Sequence, residues 1–422
     1  MTVTEHTGQS AMQSVDDYLS EVLAAIRPLP PRELGLDDAD GAVLTQDVTA
    51  GWPLPPFDNS AMDGYAVVAA DLAGASPQRP VTLPVRAEVP AGDTRRHELT
   101  PGGCIKIMTG ALLPPGADAV VPVEWTDGGT DGGTDGGTDG QVTFDRPVEP
   151  GNAIRRTGGD AAVGDVLLTA GTRLGPVQIA LLAAAGRGTV TARPRPRVML
   201  ISTGNELLEP GQPVSPGQIW ESNSRMLAGA ARQAGFTARR HPIVPDDKAA
   251  VLAAIEDAIA GADLLVTTGG VSMGGEHDVV KAALADLGTV GFRKVAMQPG
   301  MPQGFGMVGA AGTPIFTLPG NPVSAYVSFQ LFVRPVVDVF QGLDFERPVS
   351  HRAVLAASVR SPRGRRSFLR GVLDRSAGRV TPVSGQASHQ LASLARANAL
   401  VVVPESVTEL AEGTEVEVLE LP

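Results

Sequence analysis

The chain has 422 residues, enough for two to four domains. A hydrophobic fraction of 43% and a charged fraction of 19% describe an ordinary globular protein with a sizeable core. A net charge of -12 argues against a general nucleic-acid surface, so an anionic ligand needs a local basic pocket. Cys104 is the only cysteine, which excludes an intrachain disulfide and a cysteine metal cluster. The six histidines show no metal-ligand spacing, and no Ser-His-Asp or Cys-His arrangement supports covalent acyl chemistry. The segment MTVTEHTGQS lacks the basic start and apolar core of a signal peptide. The longest apolar stretch, near Ile179–Ala185, is too short to span a bilayer. These features predict a cytoplasmic protein without membrane or nucleic-acid partners.

Ser14 to Ile26 has the periodicity of an amphipathic helix, with Val15, Tyr18, Leu19, Val22, Leu23 and Ile26 on one face. From Gly51 to about Val148, short apolar runs such as VTLPVRAEV and GGCIKIMTG are cut by Pro and Gly, which predicts a β-rich domain. Inside it, residues 127–140 read DGGTDGGTDGGTDG. This repeat fits neither the nonapeptide calcium repeat nor an EF-hand loop, and it predicts a disordered surface loop. The proline-rich stretch Arg193–Arg197 marks a linker, after which the period changes. Val198–Ser202, Thr237–Val244, Leu264–Thr268 and Thr313–Leu318 are strand-like. Asn223–Gln233, Asp247–Ile259, Val279–Leu287 and a long Val323–Phe340 are helix-like. Alternation of this kind predicts a mostly parallel sheet covered on both faces. From Arg347, the segments AVLAASV, SFLRGVL, ALVVVPE and EVEVLEL predict a small all-β domain.

The run TTGGVSMGGEHD, Thr267 to Asp278, lies between a strand and a helix. Its glycines let backbone N–H groups approach an anion closely, and the helix N-terminus adds partial positive charge. It lacks the Lys-Ser/Thr ending of a P-loop and the dinucleotide fingerprint. Asp278 would repel phosphate unless a cation lay between them, so the loop predicts phosphate plus a divalent metal. Further acids follow other strands: Glu206 lies past Val198–Ser202, and Asp246 and Asp247 lie past Val244. Ligands of open α/β sheets bind outside the carboxyl ends of the strands, where grouped carboxylates and substrate phosphate suit Mg²⁺. For a single Asp the competing role is helix N-capping. Lys294, Arg155 and Arg156 are candidate anion partners, and for each a solvated surface position is the competing role.

Four motifs occur in order: PPFDNSAMDGYAV at Pro55–Val67, STGNEL at Ser202–Leu207, TTGGVSMGGEHD, and LPGNPVSA at Leu318–Ala325. Together they closely resemble the molybdopterin molybdenumtransferase family, MoeA in bacteria and the E domain of gephyrin, from about Ser14 to about Pro404. The resemblance implies molybdenum insertion into adenylylated molybdopterin, with hydrolysis of the pyrophosphate link and release of AMP. It implies Mg²⁺ as cofactor, molybdate as co-substrate and a homodimer whose sites combine two subunits. The adenylyltransferase of the same pathway and acceptor molybdoenzymes are implied partners.

The implied fold is multidomain α/β and β. A small N-terminal helical linking and dimerisation domain spans 12–50 plus 149–192, and a β-rich domain spans 51–148. A three-layer α/β molybdopterin-binding domain spans 193–342, and a C-terminal β-barrel-like domain spans 343–422. Implied catalytic residues are Asp58, Thr109, Glu206, Asp278 and Lys294. Implied substrate-binding residues are Thr203, Gly204, Gly269, Gly270, Ser272, Arg155, Pro319 and Gly320. Implied metal ligands are Asp160, Glu206, Asp246 and Asp278. Asp160 is placed on the side of Glu206, with Asp58 and Thr109 supplied by the partner.

Two departures from the family pattern stand out. Gln298-Pro299-Gly300-Met301-Pro302 replaces the usual KPGKP, which removes two lysines suited to an oxyanion. Asn205 stands where TGDEL is common. Arginines such as Arg155 or Arg293 are candidates to compensate. The competing readings are a molybdopterin-binding paralogue or scaffold with reduced transferase activity, an adenylyltransferase, and an amidohydrolase-like salvage protein. The flanking domains argue against the last two.

Overall fold

The computed structural model describes residues 12–127, 140–269, 279–286, 289–345, 347 and 350–422. Gly270, Ser272, Asp278 and the repeat between Asp127 and Gly140 lie outside the described residues. The described chain forms two compact units. One takes Leu34–Asp40 and Gln46–Val190. The other takes the chain up to Glu33, Gly41–Thr45 and everything from Thr191.

Helix α1 spans Val15–Ala25. The Ser14 hydroxyl accepts the Asp17 N–H at 3.0 Å, and Asp16 and Asp17 complement the positive end of the helix. Its buried stripe is Val15, Tyr18 and Val22, with the Tyr18 ring edge-on to Phe332 at 4.8 Å.

The smaller unit holds a five-stranded sheet. Its strands are β1 (Gly64–Val67), β2 (Val81–Val89), β3 (Cys104–Ile107), β4 (Ala119–Pro122) and β5 (Gln141–Phe144). Their order is β4-β1-β3-β2-β5. Tyr65 and Phe144 pack edge-on at 6.0 Å in its core. Helix α2 (Pro176–Ala184) is apolar along its length, yet only Leu182 is buried.

The larger unit centres on a six-stranded sheet. Its elements in chain order are β6 (Arg197–Ser202), α3 (Asn223–Ala234), β7 (Thr237–Arg240), α4 (Lys248–Ile259), β8 (Leu264–Thr268), α5 (Val279–Asp286), β9 (Val290–Lys294), β10 (Pro302–Val308) and β11 (Thr313–Leu318). The order is β7-β6-β8-β11-β10-β9. The first four strands run parallel, and β10 and then β9 reverse direction in turn. Alternation along the strands sorts the core into two layers. Val198, Leu200, Leu264, Val266, Phe316 and Leu318 pack with α1, α3 and the helix after β11. Ile201, Leu265 and Ile315 pack with α4 and α5. The expected three-layer α/β domain is therefore present.

Three expectations need correction. Thr237–Val244 is not one strand: β7 ends at Arg240, and only Val244 returns to bridge Thr203. Pro242 has no N–H to donate to a ladder. The helix Val323–Phe340 is interrupted. It runs Pro322–Ser328 as α, Phe329–Val333 as π and Val336–Phe340 as α. Arg334 N–H donates to the Phe329 carbonyl five residues back, and Pro335 cannot donate at all. This stretch also displaces Ile179–Ala185 as the longest apolar segment. Pro322–Phe340 is long and apolar enough to cross a bilayer, but 72% of its most apolar window is buried within the protein, as in a core helix.

The C-terminal strands are β12 (Ser350–Leu355), β13 (Arg366–Asp374), β14 (Arg379–Pro382), β15 (Ala399–Val403) and β16 (Glu415–Glu420). They pair in the order β13-β14-β12-β16-β15, and β15 closes back on β13. The expected barrel is thus closed, with Leu355, Val380, Val401, Val403 and Val418 inside.

Candidate active site

The parallel register aligns the carboxyl ends of three strands: Ser202 pairs with Thr268, and Thr268 pairs with Leu318. Val244 joins through Thr203. Thr203, Gly204, Glu206, Asp246, Gly269, Pro319 and Gly320 therefore come to one end of one sheet. Lys294 joins them, because two reversals make β9 run parallel to β11.

Local packing explains the glycines. Gly269 has φ 94°, and a Cβ there would lie 2.9 Å from the Thr203 carbonyl oxygen. A Cβ on Gly320 would meet Gly269 Cα at 3.5 Å, and one on Gly204 would collide with the Glu206 carboxylate. Asn223, the first residue of α3, donates through Nδ2 to the Gly320 carbonyl at 2.7 Å. The Thr203 hydroxyl is buried without a hydrogen-bond partner among the described residues.

Glu206 and Asp246 are exposed. Asn205 N–H donates to Asp246 Oδ2 at 3.1 Å, and Asp246 N–H donates to Asn205 Oδ1 at 3.0 Å. Asp247 does something else: its Oδ1 accepts the Ala250 N–H at 2.9 Å and caps α4. Glu221 is a residue that sequence reasoning missed. It is 2% exposed and accepts from Ser202 Oγ (2.9 Å), Ser224 N (2.6 Å), Ser224 Oγ (2.8 Å) and Arg225 Nη1 (2.9 Å). Ser202 Oγ lies 3.1 Å from Thr268 Oγ1, so Glu221 underpins two adjacent strand ends. The available signal was the acid two residues before α3 in the run Glu221-Ser222-Asn223-Ser224.

In the smaller unit, Ile154–Arg155 pairs antiparallel with Asn59–Ser60. Gly110 N–H donates to the Ser60 carbonyl at 2.8 Å, and Leu113 N–H to the Asp58 carbonyl at 2.9 Å. Three sequence motifs thereby meet. Asp58 Oδ2 accepts Arg156 Nη1 at 2.7 Å, while Oδ1 accepts the Thr157 N–H at 2.7 Å and hydroxyl at 2.8 Å. The Thr157 backbone N–H foremost, then Arg156, holds the Asp58 carboxyl below its ordinary range. Asp63 Oδ1 accepts both the Thr109 hydroxyl and N–H at 2.6 Å, and these bonds lower its carboxyl likewise. Neither Asp63 nor the Asp58–Arg156 pair was singled out from sequence. Arg155 is exposed.

Asp160, expected beside Glu206, lies in the smaller unit, and Glu206 lies in the larger one. Asp160 N–H donates to the Leu54 carbonyl at 2.8 Å, so Asp160 belongs to the same compact unit as Asp58. Among the described residues, no three Asp, Glu, His or Cys side chains form a metal-holding group. Of the four expected ligands, Glu206 and Asp246 remain together at the strand ends, and Asp278 lies outside the described residues. Two exposed carboxylates nonetheless suit Mg²⁺, which binds through one or two carboxylates plus substrate phosphates and retains water.

A cleft of about 420 Å³ is lined by Gln298, Pro319, Asn321, Ser324, Arg365 and Ser388, among others. The neutral Gln298 thus shares its cleft with the cation of Arg365. Behind the cleft wall, Arg370 is fully buried. Its Nη2 donates to the carbonyls of Gly385 (2.6 Å) and Ala387 (3.2 Å), while Nε and Nη1 have no partner among the described residues. Arg293 instead lies 3.9 Å from Glu21, and Arg155 sits on the other unit.

Comparison with known proteins agrees with this layout. Residues 13–186 match the MoeA N-terminal region (domain I and II), and residues 199–339 match a probable molybdopterin binding domain. Residues 352–421 match the MoeA C-terminal region (domain IV). The chain is 48% identical to molybdopterin molybdenumtransferase 2 of Mycobacterium tuberculosis (strain ATCC 25618 / H37Rv), over 97% of this chain and 100% of the relative. It is 37% identical to the molybdopterin molybdenumtransferase of Bacillus subtilis (strain 168), over 92% and 89%. The solved structure of a molybdopterin biosynthesis MoeA protein from Pyrococcus horikosii superimposes with a TM-score of 0.72 at 33% identity, covering 97% of this chain and 99% of that one. A family match that runs almost end to end, with 48% identity to one relative over nearly the whole chain, places the chain in the molybdopterin molybdenumtransferase (MoeA) family.

Proposed function

We infer that this chain is a transferase of molybdenum cofactor biosynthesis that inserts molybdenum into molybdopterin. The observation that carries this reading is near-complete coverage of a relative so named at 48% identity. The scaffold and reduced-activity alternatives are not favoured.

Several finer statements belong to this proposal. The substrate is the adenylylated form, and water opens its phosphoanhydride to leave AMP and the molybdopterin phosphate monoester. Thr203, Gly204, Gly269 and the Pro319-Gly320 turn bind substrate at the strand ends, together with Gly270 and Ser272. Glu206 and Asp246 hold Mg²⁺, with Asp278 as a further ligand. Bound there, the metal supplies charge neutralisation to phosphate oxygens. Lys294 and Arg155 add fixed positive charge, and positioning provides much of the remaining acceleration. Molybdate enters the cleft at Gln298, where Arg365 is the charged wall residue.

The chain acts as a cytoplasmic homodimer of four-domain subunits, with the partner's Asp58 and the partner's Thr109 completing each site. Trp52, Val163, Val166 and Val177 are 70%, 64%, 53% and 75% exposed, and such apolar exposure is what a second copy would cover. The test is AMP release from adenylylated molybdopterin with Mg²⁺, with and without molybdate. Molybdate-dependent release supports the reading. Absence of release at any molybdate concentration, from protein that binds the substrate, favours the scaffold alternative.

A further inference from the structure

The loops that follow β6 and β7 are locked by a reciprocal pair of hydrogen bonds. Asn205 N–H donates to Asp246 Oδ2, and Asp246 N–H donates to Asn205 Oδ1, at 3.1 and 3.0 Å. The residues are 41 apart in sequence and belong to different loops. A second tie lies beside the first, where Gly204 N–H donates to the Val244 carbonyl at 3.1 Å. Glu206 follows at once, with its carboxylate folded over Gly204. Both carboxylates therefore hang from one cross-linked pair of loops. The clamp uses one oxygen of Asp246 and leaves Oδ1 without a hydrogen bond among the described residues. Asn205 and Asp246 are both exposed, so the pair adds little to folding stability. Its effect is to fix where Asp246 points.

We infer that Asn205 is a positioning residue for the cation site. By accepting the Asp246 N–H, its amide oxygen holds Asp246 with the second carboxylate oxygen free for a divalent cation. The inference rests on the reading of Glu206 and Asp246 as cation ligands. Outer partners of metal ligands orient them, and their loss weakens metal binding while the ligands remain. A neutral amide also limits the charge of the site. A carboxylate at position 205 would accept the same N–H but add a negative charge beside Asp246 and Glu206, which favours the bare cation and opposes an anionic substrate.

The test is direct binding of Mn²⁺, an oxygen-seeking probe, followed by electron paramagnetic resonance on the full chain without substrate. Asn205→Ala, Asn205→Asp and Glu206→Gln are compared with wild type, with unfolding midpoints measured alongside. Glu206→Gln should lose most binding. Asn205→Ala should weaken Mn²⁺ by about 10-fold or more at an unchanged midpoint. Asn205→Asp keeps the acceptor and should bind at least as tightly as wild type, with a steeper salt dependence. Wild-type affinity in Asn205→Ala, with binding lost in Glu206→Gln, would overturn the clamp and leave the cation site standing. Wild-type affinity in Glu206→Gln would remove the cation site and the inference together. Should Asn205→Ala not fold, a tenfold loss in Asn205→Asp refutes the clamp on its own.

Discussion

The Glu221 carboxylate accepts the Ser202 hydroxyl at 2.9 Å from a position that is 2% exposed, directly beneath the strand ends of the candidate site. Arg225 and two groups of Ser224 complete its coordination. Removing a buried charge from such a set leaves its partners unpaired, which costs about 3–5 kcal/mol. Glu221→Ala should therefore lower the unfolding midpoint far more than Ser202→Ala, which forfeits a single hydrogen bond, about 1 kcal/mol. Equal midpoints for the two variants in thermal denaturation would contradict this role.

Asp58 provides a pH-dependent prediction. Thr157 and Arg156 hold its folded-state carboxyl below the unfolded value of about 3.9. Its contribution to stability is thus present above the unfolded value and is lost as pH falls through the lowered folded one. The side chain is 32% exposed, so the contribution is small. Asp58→Asn should be less stable than wild type at pH 7, and the gap should close as pH falls below about 4. A gap of constant size from pH 7 to pH 3 would show that the carboxylate charge is not involved.

The cleft at Gln298, the proposed molybdate site, yields a charge prediction. Gln298 lines it without charge, and Arg365 is its cation. Gln298→Lys with Met301→Lys should lower the molybdate concentration needed for half-maximal rate, with the gain shrinking as salt rises. Arg365→Ala should raise that concentration and leave bond breaking in the saturated enzyme largely intact. No effect of Arg365→Ala on molybdate dependence would move the oxyanion elsewhere.

Site sharing predicts complementation. Asp58→Ala and Glu206→Ala subunits, each inactive alone, should regain part of the activity when mixed, because each mixed dimer has one intact site. Proven mixed dimers without activity would contradict sharing, and a monomer by light scattering at micromolar concentration would do so more simply.

Much of this molecule was legible because its signals are local. The period change after Arg197, the apolar runs at Leu264–Thr268 and Thr313–Leu318, and the turn chemistry around Gly269 each specify their own backbone. Strand ends then brought Glu206 and Asp246 together, as the topology of a parallel sheet requires. What was not legible depends on distant partners. Glu221 is an ordinary helix-start acid until Ser202 arrives from β6, and Asp63 is an ordinary turn acid until Thr109 comes to rest on it. The π turn before Pro335 breaks a helix whose apolar pattern is continuous, since a missing N–H leaves little trace in hydrophobic periodicity.

The most direct test of the account is a single-turnover reaction of adenylylated molybdopterin with molybdate and Mg²⁺, measuring AMP and dithiolene-bound molybdenum together. Wild type should form the two products in equal amounts. Glu206→Gln should lose most of both, while folding and the mass in solution stay those of wild type. Equal yields from wild type and Glu206→Gln, or AMP released without any molybdenum transferred, would contradict a metal-assisted molybdenum insertion at these strand ends.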